Sequence, residues 1–456
     1  MMLKSVLGTI LKDQIKDFAH LEDSIPRSIT PGPTDYQGTS AFIITGLRRC
    51  GKSTLLKQII KTKYAEDYFY FNFDDERIAG FKAEDFQNLL EASIEIHGKK
   101  NNLFFDEIQN VPGWELFVNR MLREGHRVFI TGSNAHLLSR ELGTHLTGRH
   151  VDVELYPFSF VEFLRAHKIP VYDTEAFSTE ENALFSKKFK QYVEKGGMPE
   201  AIVFSNEAVL TSVLNDIIQK DIVTRYALKK PAELKTVVKF LIANAAKPFT
   251  YRSITDNFNI KSPITLQKYI DYAEETYLIF TVRRFERKTK RLDKNPKKAY
   301  CVDNGIIAKN TPAVNEMKGA LLENVVAIHL KRLGKEIYYH KTDHSECDFV
   351  LPKEKNAIQV CYTLNADNRE REIKGLLAAL DELNAKNGLI LTLEQEETSF
   401  RKGKTIRILP TWKWLLKTEP NEKTKTRRAH RFQKRSQRRR TFFRHRYKAK
   451  HPDRTA

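Results

Sequence analysis

The sequence predicts an α/β protein whose first half is built on a parallel sheet covered by helices. Between residues 41 and 155, short apolar runs alternate with helical stretches. A glycine-containing loop joins the first apolar run to a helix, and polar or acidic residues directly follow two later runs. Strands that alternate with helices form βαβ units, whose strands pair in parallel. This order therefore predicts a doubly wound sheet.

The elements of the first half follow one another in a regular order. Residues 1 to about 24 are predicted to form a short amphipathic helix, and a proline- and glycine-containing loop extends to residue 40. The strands of the sheet are predicted at 41–45, 68–73, 102–105, 126–131 and 151–155. From about 158 to 230 the pattern is helical, with a break at 196–199.

The second half contains two further patterns. Residues 232–285 show three helical stretches and then a strand-like run, which is the order of a winged helix. From about 298 to 415 strands and helices alternate again. The strands there are predicted at 337–340, 347–351, 357–362 and 388–393. This part is predicted to be a second α/β domain.

Length and composition exclude several classes of protein. At 456 residues the chain is long enough for about three domains, and a hydrophobic fraction of 41% excludes global disorder. The sequence has no apolar run long enough to span a membrane and no signal peptide, which predicts a soluble, cytoplasmic protein. The four cysteines form no CxxC pair, which excludes a disulfide scaffold and an ordinary cysteine zinc site.

Residues 46–54 read GLRRCGKST and fit the phosphate-loop pattern GxxxxGK followed by Ser or Thr. The loop follows an apolar strand and begins a helix, as phosphate binding requires. Backbone amides would surround the phosphates, Lys52 would neutralise their outer oxygens and Ser53 would bind Mg²⁺. The predicted nucleotide-binding residues are Gly46, Leu47, Arg48, Arg49, Cys50, Gly51, Lys52, Ser53 and Thr54.

Two later strands end in residues that suit ATP hydrolysis. Asp106 and Glu107 follow an apolar run, so Asp106 is predicted to bind Mg²⁺ and Glu107 to polarise the attacking water. Ser133 or Asn134, after the next strand, would hold that water, although Gly, Ser and Asn also favour a simple strand-ending turn. This order of strands is typical of ATPases with a catalytic glutamate, and the guanine-specific NKxD tetrapeptide is absent.

Seven segments in order carry a resemblance to a known family. They are GLRRCGKST, FFDEIQNVPGWE, ITGSNAHLLS, ELGTHLTGR, YPFSF, GGMPE and DIVTRY, which begin at residues 46, 104, 130, 141, 156, 196 and 221. Together they resemble the prokaryotic AAA+-like ATP-binding proteins related to archaeal STAND ATPases, over about residues 1–415. The resemblance implies a P-loop NTPase sheet of the AAA+/ASCE type with ATP and Mg²⁺ as cofactors. It makes Arg149 and Arg225 candidates for contact with the γ-phosphate, in the same chain or in a neighbouring one, although ion-paired surface arginines are the simpler interpretation.

The C-terminal region resembles the restriction-endonuclease-like fold. That fold cuts DNA with a helix Glu, a strand Asp and a Glu-x-Lys, whose acids bind Mg²⁺. Glu323 and Asp348 match the pattern, but Gln359 replaces the second acid and Cys361 stands in place of the lysine. We therefore expect a degenerate site and a domain that binds nucleic acid or is structural, rather than a nuclease.

The net charge of +20 is unevenly distributed. The last 36 residues hold 15 Lys and Arg against two acids, and thus 13 of the 20 net charges. This basic tail is predicted to be disordered alone and suits DNA or another polyanion, although a terminus without a selected role is an equal alternative. Lysines and arginines also crowd residues 283–298, where a wing would contact phosphates; winged helices serve as packing modules too.

These observations predict a cytoplasmic ATPase that couples ATP binding or hydrolysis to a conformational change and that meets DNA or a protein partner. A nucleotide-gated regulatory or defence switch with little turnover is one alternative, and a metal-dependent nuclease is another. A homo-oligomer is compatible with an arginine supplied by a neighbour. The predicted divisions are a helix and loop (1–40), the ATPase domain (41–230), the winged helix (231–290), the nuclease-like domain (291–417) and the tail (418–456).

Overall fold

The structure of the protein is a computed structural model. It describes residues 2–16, 24–28, 40–133, 150–171, 177–286, 295–312 and 314–419. Within these ranges, no helix combines the length and the hydrophobicity that are needed to cross a bilayer.

A five-stranded parallel sheet forms the centre of the first half. Its elements are α1 (Lys4–Lys16), β1 (Ala41–Gly46), α2 (Lys52–Lys63), β2 (Phe69–Asn72), α3 (Phe86–His97), β3 (Asn102–Asp106), α4 (Trp114–Arg123), β4 (Arg127–Gly132) and β5 (His150–Leu155). The strands lie in the order β2-β3-β4-β1-β5 and all neighbours are parallel. The predicted parallel α/β sheet is confirmed.

Both faces of this sheet are covered, which explains the continuous apolar runs. Every residue of β1 and of β3 is buried. Phe42 and Ile44 pack with Leu55 of α2 on one face, while Ile43 packs with Leu7 of α1 and with α3 and α4 on the other. The order places β4 between β1 and β3, so the ends of these three strands meet at one edge.

A group of helices follows the sheet. It contains α5 (Phe160–Ala166), α6 (Thr179–Lys195), α7 (Pro199–Val203), α8 (Ala208–Asp216) and a π-helical segment, Ile217–Thr224. The predicted break at 196–199 is the turn between α6 and α7. Pro199 occupies the first turn of α7, where its missing N–H costs nothing.

Three helices and a small antiparallel sheet come next. They are α9 (Pro231–Ala243), β6 (Pro248–Phe249), α10 (Tyr251–Phe258), α11 (Pro263–Glu275), β7 (Ile279–Arg283) and β8 (Lys297–Cys301). The sheet has the order β6-β8-β7. The basic residues of 287–294 lie outside the described residues.

The C-terminal part contains a mixed six-stranded sheet with the order β13-β14-β12-β11-β10-β9. Its elements are α12 (Asn304–Asn310), α13 (Lys318–Arg332), β9 (Tyr338–Lys341), β10 (Glu346–Leu351), β11 (Asn356–Val360), α14 (Arg369–Glu382), β12 (Asn387–Thr392), β13 (Glu397–Arg401), β14 (Lys404–Pro410) and α15 (Thr411–Thr418). The basic tail from residue 420 lies outside the described residues.

Candidate functional site

The loop between β1 and α2 has a tightly constrained backbone. Gly46, Arg49 and Gly51 have φ angles of 140°, 62° and 97°. A Cβ at Gly46 would lie 2.2 Å from the carbonyl oxygen of Leu155 in β5. Glycine is therefore required at this point, where the neighbouring strand leaves no space for a side chain.

Lys52 begins α2, and its ammonium lies under the loop. The Nζ atom donates hydrogen bonds to the carbonyl oxygens of Gly46, at 3.2 Å, and Leu47, at 3.1 Å. It also lies 3.6 Å from Oε1 of Glu107, and only 4% of the Lys52 side chain is exposed. The N-terminal end of a helix and a fixed ammonium together favour an anion at this position.

Asp106 ends β3 as a buried carboxylate. Its Oδ1 accepts a hydrogen bond from the Thr131 hydroxyl, and its Oδ2 accepts one from the Tyr70 hydroxyl at 3.2 Å. Burial raises the pKa of Asp106, and the charge of Glu107 raises it further, whereas hydrogen bonds from Thr131 and Ser53 lower it. The Ser53 hydroxyl and the Asp106 carboxylate thus meet, and such oxygen atoms are the ligands that Mg²⁺ prefers.

Glu107 lies next to this pair in an unusual backbone conformation. Its φ of 51° is in the left-handed region, which is strained for a residue with a side chain. The backbone N–H donates to Oγ1 of Thr131 at 2.9 Å, and Oε2 accepts from the side chain of Gln109. Thr131, at the end of β4, therefore fixes both Asp106 and the backbone of Glu107.

A cavity of about 920 Å³ opens above these residues. The predicted site residues that line it are Arg48, Arg49, Gly51, Lys52, Ser53, Thr54, Glu107, Ser133 and Arg225. Leu47 and Cys50 are buried behind the loop, where burial raises the pKa of the Cys50 thiol. Asn134 and Arg149 lie outside the described residues, so their predicted roles stay predictions.

The π-helical segment and the residue after it place two charged residues near the phosphate loop. Arg48 of the loop donates two hydrogen bonds, each of 2.9 Å, to the two carboxylate oxygens of Asp221, which raise the pKa of Arg48. Arg225 follows the segment and lines the cavity. Its Nη1 atom is buried and, among the described residues, has no hydrogen-bond partner. Arg225 is thus available to an anionic ligand.

Several charged residues of the cavity were not singled out from the sequence, among them Arg27 and Asp74. Arg27 is buried, and it donates to the carbonyl oxygens of Cys50, at 2.7 Å, and Tyr156, at 2.5 Å, and to Glu162 at 3.0 Å. Asp74 follows β2, and burial together with the charge of Glu107 raises its pKa. The rule that polar residues follow parallel strands would have found Asp74, whereas no sequence signal distinguishes Arg27.

The structure brings two of the three predicted nuclease-like residues together around a lysine. Glu323 and Asp348 both contact Lys298. Gln359 instead donates to Glu372 at 2.6 Å and accepts from the backbone N–H of Asp348 at 3.3 Å. In the described part of the chain, no three His, Cys, Asp or Glu side chains are arranged to hold a metal ion.

Comparisons with known proteins agree with the first half of this description. Residues 38–164 match an AAA domain family. Residues 186–315 and 318–414 match two domains of unknown function, DUF8612 and DUF4143.

Among solved structures, DnaA from Aquifex aeolicus with AMPPCP is 14% identical over 53% of this chain and 83% of that chain, with a TM-score of 0.23. Drosophila ORC bound to DNA is 11% identical over 66% and 95%, with a TM-score of 0.21. Similarities with TM-scores this low do not identify a function for this chain.

Two relatives match along most of the sequence. An uncharacterised protein of Methanocaldococcus jannaschii is 34% identical over 82% of this chain and 88% of its own length. An uncharacterised protein of Haemophilus influenzae is 30% identical over 82% of this chain and 94% of its own length. The chain therefore belongs to the same protein family as these two relatives, and its N-terminal half carries an AAA domain with the parallel sheet of P-loop ATPases.

Proposed function

We propose that this protein is a Mg²⁺-dependent ATPase that couples ATP binding or hydrolysis to a conformational change. One observation carries the proposal. Lys52 and Glu107 both line a cavity of about 920 Å³, and Nζ of Lys52 lies 3.6 Å from Oε1 of Glu107. The cavity size is typical of ligand sites. A fixed cation for phosphate and an adjacent carboxylate for water are the two groups that phosphoryl transfer to water needs.

Each residue has a proposed role in this reaction. The amides of the loop and Lys52 bind the phosphates. Ser53 and Asp106 would hold Mg²⁺, which neutralises charge on the phosphate oxygens when it is bound. Glu107 orients the attacking water and accepts its proton, and Arg225 contacts the γ-phosphate. Ser133 and Asn134 are proposed to hold the water, and Arg149 is a second candidate for the γ-phosphate.

Two substitutions test this assignment. We expect Lys52→Ala to abolish ATP binding, because the phosphates lose their fixed cation. Glu107→Gln should bind ATP normally but lose turnover by about 10²–10⁴-fold, because an amide accepts no proton from water. Binding is measured by nucleotide titration and turnover by steady-state phosphate release. Glu124→Gln changes an exposed acid of the same domain and serves as the matched control. Wild-type turnover in Glu107→Gln would contradict the assignment.

A nucleotide-gated switch with little turnover is the second candidate. Two contacts favour it, since they join the site to α11 and to Tyr277, two residues after the end of α11. Tyr226, next to Arg225, stacks on Tyr272 of α11 with ring centroids 4.0 Å apart. Tyr277 hydrogen-bonds Thr45, directly before the phosphate loop. Single-turnover measurements distinguish the candidates, because a switch releases one phosphate or none per chain.

DNA contact is proposed for the second half of the chain. The order of α9, β6, α10, α11 and β7 supports a winged helix at about 231–290, and β8 extends its small sheet to residue 301, past the proposed boundary. The order of α13, β9, β10, β11, α14 and β12 supports a restriction-endonuclease-like domain in the proposed range 291–417. Arg252 of α10 is 91% exposed, and Lys261 and Lys268 are exposed at α11. The proposed partners are ATP, DNA or another polyanion, a protein, and a second copy of the chain. The proposed location is the cytoplasm.

A further inference from the structure

A buried lysine on β8 lies at the centre of the nuclease-like constellation. The Nζ atom of Lys298 is 3.0 Å from Oε1 of Glu323, 2.8 Å from Oε1 of Glu346 and 3.1 Å from Oδ1 of Asp348. Only 2% of the Lys298 side chain is exposed. We call these four residues the Lys298 cluster. Its members come from three elements, β8, α13 and β10.

The ammonium satisfies its own hydrogen-bonding capacity within the Lys298 cluster. An ammonium has three N–H donors and no acceptor, and three carboxylates surround it here. The acids find further partners nearby. Oδ2 of Asp348 accepts from the backbone N–H of Val360 at 2.9 Å, and Oε1 of Glu323 also accepts from the Tyr300 hydroxyl at 2.6 Å. A buried charge set of this kind is stable only when it is paired in this way.

The electrostatics of the Lys298 cluster agree with a permanently charged lysine. Burial acts to lower the pKa of Lys298, but the surrounding acids raise it well above its usual value. Burial and the charge of Asp348 raise the pKa of Glu323. Removal of the ammonium would therefore leave buried acids without a counter-charge, which is a costly state.

The cluster also joins two parts of the molecule. β8 belongs to the small sheet with β6 and β7, whereas Glu323, Glu346 and Asp348 belong to the C-terminal part. Asn324, next to Glu323, reinforces this junction, because its side chain accepts from Cys301 N at 2.9 Å and donates to Cys301 O at 2.8 Å. A hydrogen bond of 2.7 Å from Phe285 N to Tyr339 O adds a third connection.

We propose that the Lys298 ammonium is the resident cation of this acidic cluster and takes the place that a divalent metal ion occupies in an active constellation of this kind. The C-terminal domain consequently needs no metal ion and cuts no nucleic acid. Instead, the Lys298 cluster locks β8 to α13 and β10, so that the small sheet and the C-terminal domain move as one body.

Nucleotide-free protein provides the first test, because it needs no variant. We expect purified wild-type protein to contain no stoichiometric metal, and its melting temperature to be the same in EDTA and in MnCl₂. Plasmid DNA should remain intact with either Mg²⁺ or Mn²⁺. A metal-dependent cleavage that disappears in Asp348→Ala, or a Mn²⁺-dependent rise in melting temperature that disappears in the same variant, would overturn the proposal.

Lys298→Met is the second test. We expect a lower melting temperature in EDTA, because three carboxylates lose their counter-charge, and no recovery in MnCl₂, because these acids are not arranged to hold a metal ion. Lys341→Met is the matched control, since Lys341 contacts Glu346 from an exposed position at 2.9 Å; its melting temperature should stay close to that of wild type. An unchanged melting temperature in Lys298→Met would refute the lock. If Lys298→Met does not fold, Glu323→Gln decides. It keeps the ammonium, both acids of β10 and an acceptor oxygen on α13, so a melting temperature close to that of wild type supports the proposal and misfolding contradicts it.

Discussion

Gly46 combines a φ of 140° with a very close approach of β5. A methyl group there would lie 2.2 Å from the Leu155 oxygen and 3.1 Å from its carbonyl carbon. β1 and β5 pair over the whole length of β1, so the backbone cannot move away. We expect Gly46→Ala to lose ATP binding and to lower the free energy of unfolding by about 3 kcal/mol, measured by nucleotide titration and urea unfolding.

Gly80→Ala separates the two causes of this loss. Gly80 has a similar positive φ of 88°, but no atom lies within 4 Å of an added Cβ. Its substitution should lower the free energy of unfolding by only about 1 kcal/mol, the cost of a left-handed residue. Equal losses in the two variants would show that the contact with Leu155 is unimportant.

At the scale of residues, the sequence predicted the interactions of groups that lie close together along the chain and missed those of groups that lie far apart. The phosphate loop is one continuous segment, and Asp106 and Glu107 follow one strand, so their pattern is visible in the sequence. Arg27 pairs with Glu162 across 135 positions, and Lys298 meets Asp348 across 50. Such pairs form only when separate elements pack together, so no local sequence pattern predicts them.

At the scale of elements, the π-helical segment delivers Arg225 to the cavity of its own chain. This segment, Ile217–Thr224, is π-helical. Such turns are rare in proteins as a whole, but where they occur they often lie at functional sites. We expect Arg225→Ala to keep ATP binding but to lower turnover by about 10³-fold, because the charge that develops on the γ-phosphate loses a cation. Steady-state ATPase assays measure this loss. Lys229→Ala, which removes an exposed cation four residues away, should leave turnover unchanged.

A mixing experiment shows in which chain Arg225 acts. Lys52→Ala retains Arg225, so a mixture with Arg225→Ala would regain activity if the arginine served a neighbouring chain. Since Arg225 lines its own cavity, we expect no recovery at any mixing ratio. Recovered turnover would instead assign Arg225 to a neighbour and would make oligomerisation necessary for hydrolysis.

The sequence predicted all five strands of the parallel sheet within one residue of their observed ends. These include β1 and β3, which are buried at every position, and also β5, which has one buried residue. The hairpin of β13 and β14 was not predicted, because β13 has no buried residue and lies at a sheet edge. The π-helical segment was not predictable as such, since its composition also suits an α-helix.

At the scale of the whole molecule, the nucleotide site and the C-terminal part are joined by packed contacts. The Tyr226–Tyr272 stack connects Arg225 with α11. The Lys298 cluster then connects the small sheet that follows α11 with the C-terminal sheet. Under the proposed function, these contacts would carry a shift of Arg225 on ATP binding to α11 and to the C-terminal domain.

The distribution of charge decides where any DNA affinity belongs. Because 13 of the 20 net positive charges lie in residues 421–456, the rest of the chain is only mildly basic. We expect a chain that ends at Glu419 to hydrolyse ATP normally and to bind DNA more weakly. Its plot of log affinity against log salt should be less steep by about 0.9 for each phosphate contact that is lost.

Fluorescence titration of labelled DNA across salt concentrations measures both quantities. Lys261→Ala with Lys268→Ala in the shortened chain then tests the N-terminal part of α11, because Lys261 lies just before this helix, Lys268 lies on it, and both are exposed. If shortening leaves the affinity and the slope unchanged, the tail has no part in binding. In that case a further loss in the double variant would assign the DNA contact to α11, which the Tyr226–Tyr272 stack links to the ATP site.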